Sequence, residues 1–131
     1  MLSSRSTIAG GVLRKGPNEF TVDDHFTGKA AVVQDVYLRL MAALRRIGPF
    51  REDPKKTSIH LVRSSALAGV EVRKEYLVLN IKTDYRIESP RVVRREQLSA
   101  RRFHHKVRLS SPRDVDAELQ RWLKDAYELS G

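Results

Sequence analysis

Three apolar segments separated by very short breaks constrain the fold of this chain more than any other feature. The segments are Thr57–Arg63, Ala66–Val72 and Tyr76–Lys82, and only Ser64-Ser65 and Arg73-Lys74-Glu75 lie between them. Connections of two or three residues join strands that run in opposite directions, because parallel strands need a much longer crossover. The pattern therefore predicts an antiparallel sheet.

Alternation within the third segment assigns each of its side chains to a face of that sheet. The apolar members point one way and a more polar set points the other: Leu77, Leu79 and Ile81 against Tyr76, Val78, Asn80 and Lys82. One face of the sheet is thus suited to a core and the opposite face to solvent or a ligand.

Two further strands are predicted after the polar connection Thr83–Pro90. Arg91–Leu98 has a weaker strand pattern, and Arg102–Leu109 alternates cleanly. In the second of these the two predicted faces are Phe103, His105, Val107 and Leu109 against Arg102, His104, Lys106 and Arg108. His105 falls on the apolar face, where we expect a hydrogen-bonded core histidine.

A helix is predicted to precede the strands. Apolar residues recur at helical spacing after Thr27-Gly28-Lys29: Val33, Val36, Tyr37, Leu40, Leu44 and Ile47. Gly48 follows the last of them, where a left-handed residue commonly ends a helix, and Pro49 prevents continuation. Phe50–Pro54 is then expected to be a loop.

Capping residues predict two other helical starts. Thr21 with Asp24 predicts a capped turn within Phe20–Phe26. Ser111 as N-cap, Pro112 at the first position and Asp114 at the third predict the start of a C-terminal helix. The predicted buried face of that helix is Val115, Leu119, Trp122, Leu123 and Ala126. We expect Tyr37 and Trp122 to pack in the core rather than stack on a ligand.

Helices segregated from a mainly antiparallel sheet predict an α+β two-layer sandwich. We expect five strands, with two main helices on one face of the sheet. Residues 1–19 are rich in serine and glycine and predict a flexible leader, with a strand at Thr7–Leu13 as the alternative. Residues 20–131 are predicted to form a single domain.

The chain has a net charge of +9, which favours anionic partners such as nucleic acid or phosphorylated ligands. It has no cysteine, which excludes disulfides and cysteine-ligated metal sites. No apolar stretch approaches the roughly 18–20 residues that span a bilayer, and no signal peptide is recognisable. These features predict a cytoplasmic protein with no membrane partner. We expect a monomer or a homodimer, because an exposed edge strand allows a dimer but nothing in the sequence requires one.

Several segments resemble a family of uncharacterised bacterial domains of unknown function. They are His25-Phe26-Thr27-Gly28-Lys29, the lysine-rich stretch Pro54–Val62, Leu67-Ala68-Gly69-Val70, Tyr76–Asn80, His104-His105, and Val115-Asp116 through Trp122-Leu123 to Ala126-Tyr127. The resemblance implies a compact domain that is sometimes appended to larger transport-like or nuclease-like proteins. It implies no established activity and no catalytic residue.

The first candidate site is an anion-binding surface on the polar sheet face, with the lysine-rich loop at its rim. It comprises Lys55, Lys56, Ser58, His60, Tyr76, Asn80, His104 and Lys106. Lysine, histidine and amide groups are suitable donors to a phosphate. The hypothesis is a non-enzymatic binding or accessory domain for an anionic partner. The alternative without a function is an ordinary solvated sheet face.

A second candidate is non-specific nucleic-acid binding by the basic segment from Arg86 to Arg108. This segment has eight Lys or Arg residues against two Glu, a net charge of +6. The candidate residues are Arg94, Arg95, Arg101, Arg102 and Arg108. A basic stripe can follow a phosphate backbone, but aromatic residues that could stack on bases are sparse here.

The alternative function is a small-molecule-binding or hydrolytic enzyme centred on Ser58, His60, Tyr76 and Asn80. The sequence lacks a nucleophile elbow and a glycine-rich phosphate loop, so no catalytic residue is assigned. His104 and His105 point to opposite faces, and no compact histidine spacing is present. We therefore predict neither a metal site nor a cofactor.

Overall fold

The computed structural model describes residues 20–131, and its centre is one six-stranded sheet. The strands are Arg51–Pro54 (β1), Ile59–Val62 (β2), Ala66–Val72 (β3), Leu77–Thr83 (β4), Val92–Ser99 (β5) and Arg102–Leu109 (β6). Their spatial order is β1-β2-β3-β4-β6-β5, and every neighbouring pair is antiparallel. The predicted leader at residues 1–19, with its alternative strand, lies outside the described residues.

The prediction of five strands was wrong, because the expected loop Phe50–Pro54 contains the edge strand β1. The segment Arg51–Pro54 has no apolar residue before its proline, so it carries no alternating pattern. It becomes a strand by pairing with β2, which sets Asp53 opposite His60. The other side of the strand faces the core, and there Glu52 accepts a hydrogen bond from the Tyr37 hydroxyl at 2.6 Å.

Two helices pack on one face of the sheet, as the sequence predicted. They are α1 (Ala31–Ile47) and α2 (Ala117–Leu129); α1 contacts β4 and α2, and α2 also contacts β3 and β4. The core contains the predicted inward side chains of the strands, including Ile59, Leu61, Leu77, Leu79, Ile81 and Val107. Tyr37 and Trp122 are buried in the same core, so their assignment to packing is confirmed. The face away from the helices is called the open face below.

The predicted start of the C-terminal helix was partly wrong. Ser111 and Asp114 do form a capping box, but it caps a short 3₁₀ helix, Pro112–Asp114. The helix α2 begins separately at Ala117, where the Asp116 carboxylate accepts a hydrogen bond from the Leu119 N–H at 3.0 Å. The chain therefore has two capped helical starts in succession, one at Ser111 and one at Asp116, where a single start was predicted. It bends between them.

Gly48 ends α1 as predicted, but not for the predicted reason. Its φ is 169°, which is extended backbone and not the left-handed region. A Cβ on Gly48 would lie 2.7 Å from Cζ of Tyr127, closer than such atoms approach in proteins. The close approach of α2 therefore requires a residue without a side chain at position 48. A glycine with a left-handed backbone lies instead before α1: Gly28, with φ 75°.

His105 is a hydrogen-bonded core histidine, as the alternation predicted. The side chain is fully buried, and its Nε2 accepts a hydrogen bond from the Ile87 N–H at 3.0 Å. The Thr83 hydroxyl lies 3.5 Å from the other ring nitrogen. Burial lowers the pKa of His105 below its usual 6.5, so the neutral form is favoured.

The predicted turn near the start of the described residues is confirmed. The Thr21 N–H donates to the Asp24 carboxylate at 2.9 Å, and the Asp24 N–H donates to the Thr21 hydroxyl at 3.1 Å. These two bonds begin the 3₁₀ helix Asp23–Phe26. Within residues 20–131, no helix is long and apolar enough to cross a membrane.

Candidate functional site

The register of the sheet places one polar row across the open face. Each member lies opposite the next on the neighbouring strand, from β1 to β5: Asp53, His60, Gly69, Asn80, Lys106 and Arg94. A second row runs beside it, with Lys82, His104 and Glu96 on β4, β6 and β5. The open face therefore brings together residues from segments that are far apart in the sequence.

Two adjoining cavities lie over these rows. One has a volume of about 220 Å³ and is lined by His60, Ala66, Ala68, Gly69, Asn80, Lys82 and His104. The other, about 160 Å³, is lined by Asn80, Arg94, Glu96, His104 and Lys106. Because they share Asn80 and His104, we treat them as one depression and call it the basin.

Gly69 keeps the floor of the basin open. It lies between His60 and Asn80 in the cross-sheet row. A Cβ at this position would have its nearest neighbour, Cδ2 of His60, at 4.0 Å. Any larger side chain here would project over the open face and occupy the space, since side chains of a strand stand perpendicular to its sheet.

Several polar groups in the basin have unused hydrogen-bonding capacity. The Oδ1 atom of Asn80 is buried and has no hydrogen-bond partner. Within residues 20–131, Lys82 forms no hydrogen bond or ion pair, and the ring of His104 forms no hydrogen bond. Buried polar groups are normally satisfied, so an unpaired group at a cavity is a place where a ligand or water gains a hydrogen bond.

Burial lowers the pKa of His104, and the nearby Lys82 ammonium lowers it further. Glu96, opposite His104 on β5, acts in the other direction. The imidazole is therefore mainly neutral near pH 7 and can either donate or accept one hydrogen bond at each nitrogen according to its tautomer.

Two other cations of the open face, Lys106 and Arg108, have contacts of their own. Lys106 forms an ion pair with Glu71 at 3.1 Å, and Glu71 is bound from its other side by Arg73 at 2.7 Å. The Arg108 guanidinium lies 4.3 Å from the centre of the Tyr76 ring. Tyr76 thus stacks under an arginine and lines neither cavity of the basin.

The lysine-rich loop also lies apart from the two cavities. Lys55 forms an ion pair with Asp53 at 3.0 Å, and this contact lowers the pKa of the Asp53 carboxyl. The backbone of Lys55 donates to the Ser58 carbonyl at 2.7 Å and its own carbonyl accepts from His25 Nε2 at 2.7 Å. Lys56 is exposed, and neither lysine nor Ser58 lines the basin.

The candidate arginines for nucleic acid divide between the two sides of the sheet. Arg94 lies in the open-face row, whereas Arg95 pairs with the buried His105 and donates to the Ile87 carbonyl at 2.5 Å. Arg101, Arg102 and Arg108 are exposed. The segment from Arg86 to Arg108 is therefore not one continuous basic stripe.

The candidate set from the sequence is only partly assembled by the structure. His60, Asn80, His104 and Lys106 meet at the basin, and Lys55, Lys56, Ser58 and Tyr76 do not line it. Sequence reasoning left out Lys82, although alternation had assigned it to the same face as Asn80. It also missed Gly69, Arg94 and Glu96 as neighbours in the basin, because only the strand register aligns them.

The residues of the proposed enzyme alternative are also only partly assembled, because His60 and Asn80 line the basin whereas Ser58 and Tyr76 do not. Within the described residues no hydrogen bond joins Ser58 to His60, and Tyr76 is stacked with Arg108. A serine nucleophile needs a hydrogen-bonded base. In the same part of the chain, no group of three or more His, Asp or Glu side chains is arranged to hold a metal ion.

A family model described as Domain of unknown function (DUF5655) matches residues 22–130. The match covers nearly all of the described residues, including every strand and both helices. No curated protein and no solved structure matches the chain.

Proposed function

We propose that this chain, which belongs to the DUF5655 family of domains of unknown function, is a non-enzymatic binding domain that holds a small anionic ligand in the basin. The observation that carries the proposal is the group formed by Lys82, His104 and Asn80. Within residues 20–131, Lys82 has no ion-pair partner, and it lies there beside the ring of His104 and the Oδ1 of Asn80, neither of which has a hydrogen-bond partner.

The chemistry of these groups suits a phosphate-like anion. Lys82 supplies a positive charge that no carboxylate of the described residues neutralises, and Lys106 and Arg94 line the adjoining cavity. The imidazole N–H of His104 and the Nδ2 group of Asn80 supply directional donors, while the unpaired Oδ1 of Asn80 can accept from a hydroxyl group of the ligand or from water. Hydrogen bonds that involve a charged partner are shorter and stronger than neutral ones, so an anion gains most at this point.

The size of the basin favours a small ligand over a polymer. Its two cavities of about 220 and 160 Å³ match the scale of a small molecule or of one functional group of a larger ligand. Nucleic-acid binding by Arg94, Arg95, Arg101, Arg102 and Arg108 is the weaker candidate, because Arg95 is half-buried on the opposite face from Arg94. The enzyme alternative has no comparable support.

Titration of inorganic phosphate by calorimetry tests the proposal. Lys82→Gln removes the unpaired charge, and we expect it to weaken binding about tenfold, which corresponds to about 1.4 kcal/mol. Lys56→Gln is the matched control, because it removes one charge from an exposed lysine outside the basin. An equal effect of both variants, or no phosphate binding by the unaltered protein at low salt, would refute the proposal.

Gly69→Val is a second variant, which fills the basin without removing a charge. The backbone of Gly69 is not in the left-handed region, and the added Cβ has space, so the sheet should tolerate valine. We expect loss of phosphate binding with an unchanged denaturation midpoint. Retained binding in this variant would place the anion elsewhere on the surface.

The proposal includes three properties expected from the sequence. They are a cytoplasmic location, a monomeric or homodimeric state, and a domain formed by residues 20–131 after a leader at residues 1–19. The absence of cysteine supports the first, and the match of the family to residues 22–130 supports the third.

A further inference from the structure

A third cavity adjoins the basin and has the apolar side chains of Leu98 and Leu129 in its lining. Its volume is about 230 Å³, and it shares Ala66, Lys82 and His104 with the basin. It extends away from them towards side chains of β5 and of the C-terminal end of α2. A ligand held at Lys82 would therefore have space to continue in this direction.

Three apolar side chains, Leu98 of β5 with Ala126 and Leu129 of α2, form part of the lining of this cavity. Ser65 and Ser130 also line it, and both of their hydroxyls donate to backbone carbonyls. Leu98 is 53% exposed although it is a large hydrophobic residue. One exposed leucine is ordinary by itself. Here, however, it forms part of the wall of a cavity that is also lined by Lys82, Arg102 and His104.

We propose that the ligand of this domain is an amphipathic anion, with a phosphate or carboxylate group at Lys82 and His104 and a ring or short hydrocarbon chain against Leu98, Ala126 and Leu129. This inference rests on the proposed anion-binding function and specifies its ligand class. A cavity of about 150 Å³ lined by apolar side chains can take a benzene ring, so the space is sufficient. Each part of such a ligand meets groups of its own polarity.

The two halves of the site make separate contributions to affinity. The charged end sets a basal affinity for the anionic group, which any small anion would show. The apolar end adds a gain only for ligands with a hydrophobic part, because that part leaves water on binding. We expect phenyl phosphate to bind at least about tenfold more tightly than inorganic phosphate, since several apolar atoms are buried.

Leu98→Ser and Val93→Ser form a matched pair for this test. Both residues lie on β5 and are largely exposed, at 53% and 62%, but only Leu98 lines the third cavity. Leu98→Ser should abolish the preference for phenyl phosphate and leave the affinity for inorganic phosphate unchanged. Val93→Ser should change neither. Both variants should fold, because neither side chain belongs to the core.

The experiment is a calorimetric titration of the full chain and the two variants with inorganic phosphate, phenyl phosphate, acetate and benzoate. The ratio of the affinity for phenyl phosphate to that for inorganic phosphate, and of benzoate to acetate, measures the apolar contribution. Comparison of the two phosphate probes with the two carboxylate probes identifies the preferred anionic group. Equal affinity within both pairs, or a preference that survives Leu98→Ser, would overturn the inference while leaving the anion site intact. Absence of binding by every probe would overturn the proposed function itself.

Discussion

At the scale of single residues, Tyr127 joins three parts of the chain. Its hydroxyl donates to the Pro49 carbonyl at 2.8 Å, just after α1. Its backbone carbonyl accepts from the Arg63 guanidinium at 2.9 Å, and that guanidinium also lies 4.2 Å from the centre of the ring. The ring occupies the space that a side chain on Gly48 would need. A residue without a side chain is therefore required at position 48 by tertiary contact.

Replacing Gly48 by alanine should destabilise the protein. The new Cβ would displace the ring of Tyr127 and its hydrogen bond to Pro49, and overpacking of this kind costs about 1–3 kcal/mol. Urea denaturation monitored by circular dichroism measures the change in the free energy of unfolding. Gly69→Ala is the control, because its Cβ would meet nothing closer than 4.0 Å. Equal midpoints for the two variants would contradict this account.

At the scale of secondary-structure elements, Arg91 attaches the start of β5 to the start of α2. Its guanidinium donates to the Asp116 carboxylate at 2.9 Å, to Glu118 at 3.1 Å and to the Asp114 carbonyl at 2.6 Å. It also lies 5.7 Å from the centre of the Trp122 ring. Partial burial raises the pKa of Asp116, but the Leu119 N–H and Arg91 together lower it below its usual value.

Arg91→Ala should lower the free energy of unfolding by about 1–2 kcal/mol, because a planar donor with three acceptors is lost. The expected loss in the free energy of unfolding is no larger because the Arg91 side chain is 24% exposed and its ion pairs are partly screened by solvent. Thermal denaturation at low and high salt measures the loss, which should shrink as salt screens the ion pairs.

Arg86→Ala is the matched control for Arg91. Among residues 20–131, Arg86 forms an ion pair with Glu88 at 3.1 Å and no other, and both side chains are at least 60% exposed. We expect this change to cost less than about 0.5 kcal/mol, since exposed pairs contribute little. A larger loss from Arg86→Ala than from Arg91→Ala would show that Arg91 does not hold α2 in place.

At the scale of the whole molecule, one face of the sheet is buried in the core and the other is open and carries the candidate site. The helix-covered face holds a continuous apolar core in which His105 is fully buried and neutral. The open face carries the basin, which adjoins the third cavity at Lys82 and His104. Both histidines have a pKa below the usual 6.5, and burial is the main cause for each. The stability of the whole domain is therefore linked to pH.

Stability should fall as the pH decreases below about 6.5, the usual pKa of a histidine in the unfolded chain. In that window the unfolded chain takes up protons at His104 and His105 more readily than the folded chain does. Above it both histidines are neutral in either state, and the full stability is present. The lowered pKa of Asp116, below its usual 3.8, contributes only at more acidic pH.

Unfolding by urea at several pH values, in a buffer free of phosphate and sulfate, measures this dependence. His105→Gln keeps an acceptor near the Ile87 N–H but does not titrate, so its stability should change less with pH. In the double variant with His104→Gln and His105→Gln, the free energy of unfolding should depend even less on pH. An unchanged slope in the double variant would assign the pH dependence to other groups.

The sequence by itself determined the sheet-and-helix architecture and the face on which most strand residues lie. Alternation is a local property of a strand, since successive side chains point to opposite sides whatever the strand pairs with. This is why the placement of His105 in the core, and of Asn80 and Lys82 on one face, followed from spacing alone. The apolar periodicity of α1 and the caps at Thr21 and Ser111 are equally local signals.

Only the tertiary structure decided which of these residues meet. Strand β1 has no apolar pattern and exists because it pairs with β2. The register between strands brought Gly69, Lys82 and Arg94 beside Asn80 and His104, and set Arg95 on the opposite face from Arg94. Contacts between residues far apart in the chain depend on this register and on side-chain packing, neither of which is encoded in local spacing. The basin is therefore a product of the fold, although the sequence had assigned His60, Asn80, Lys82, His104 and Lys106 to the polar face of the sheet.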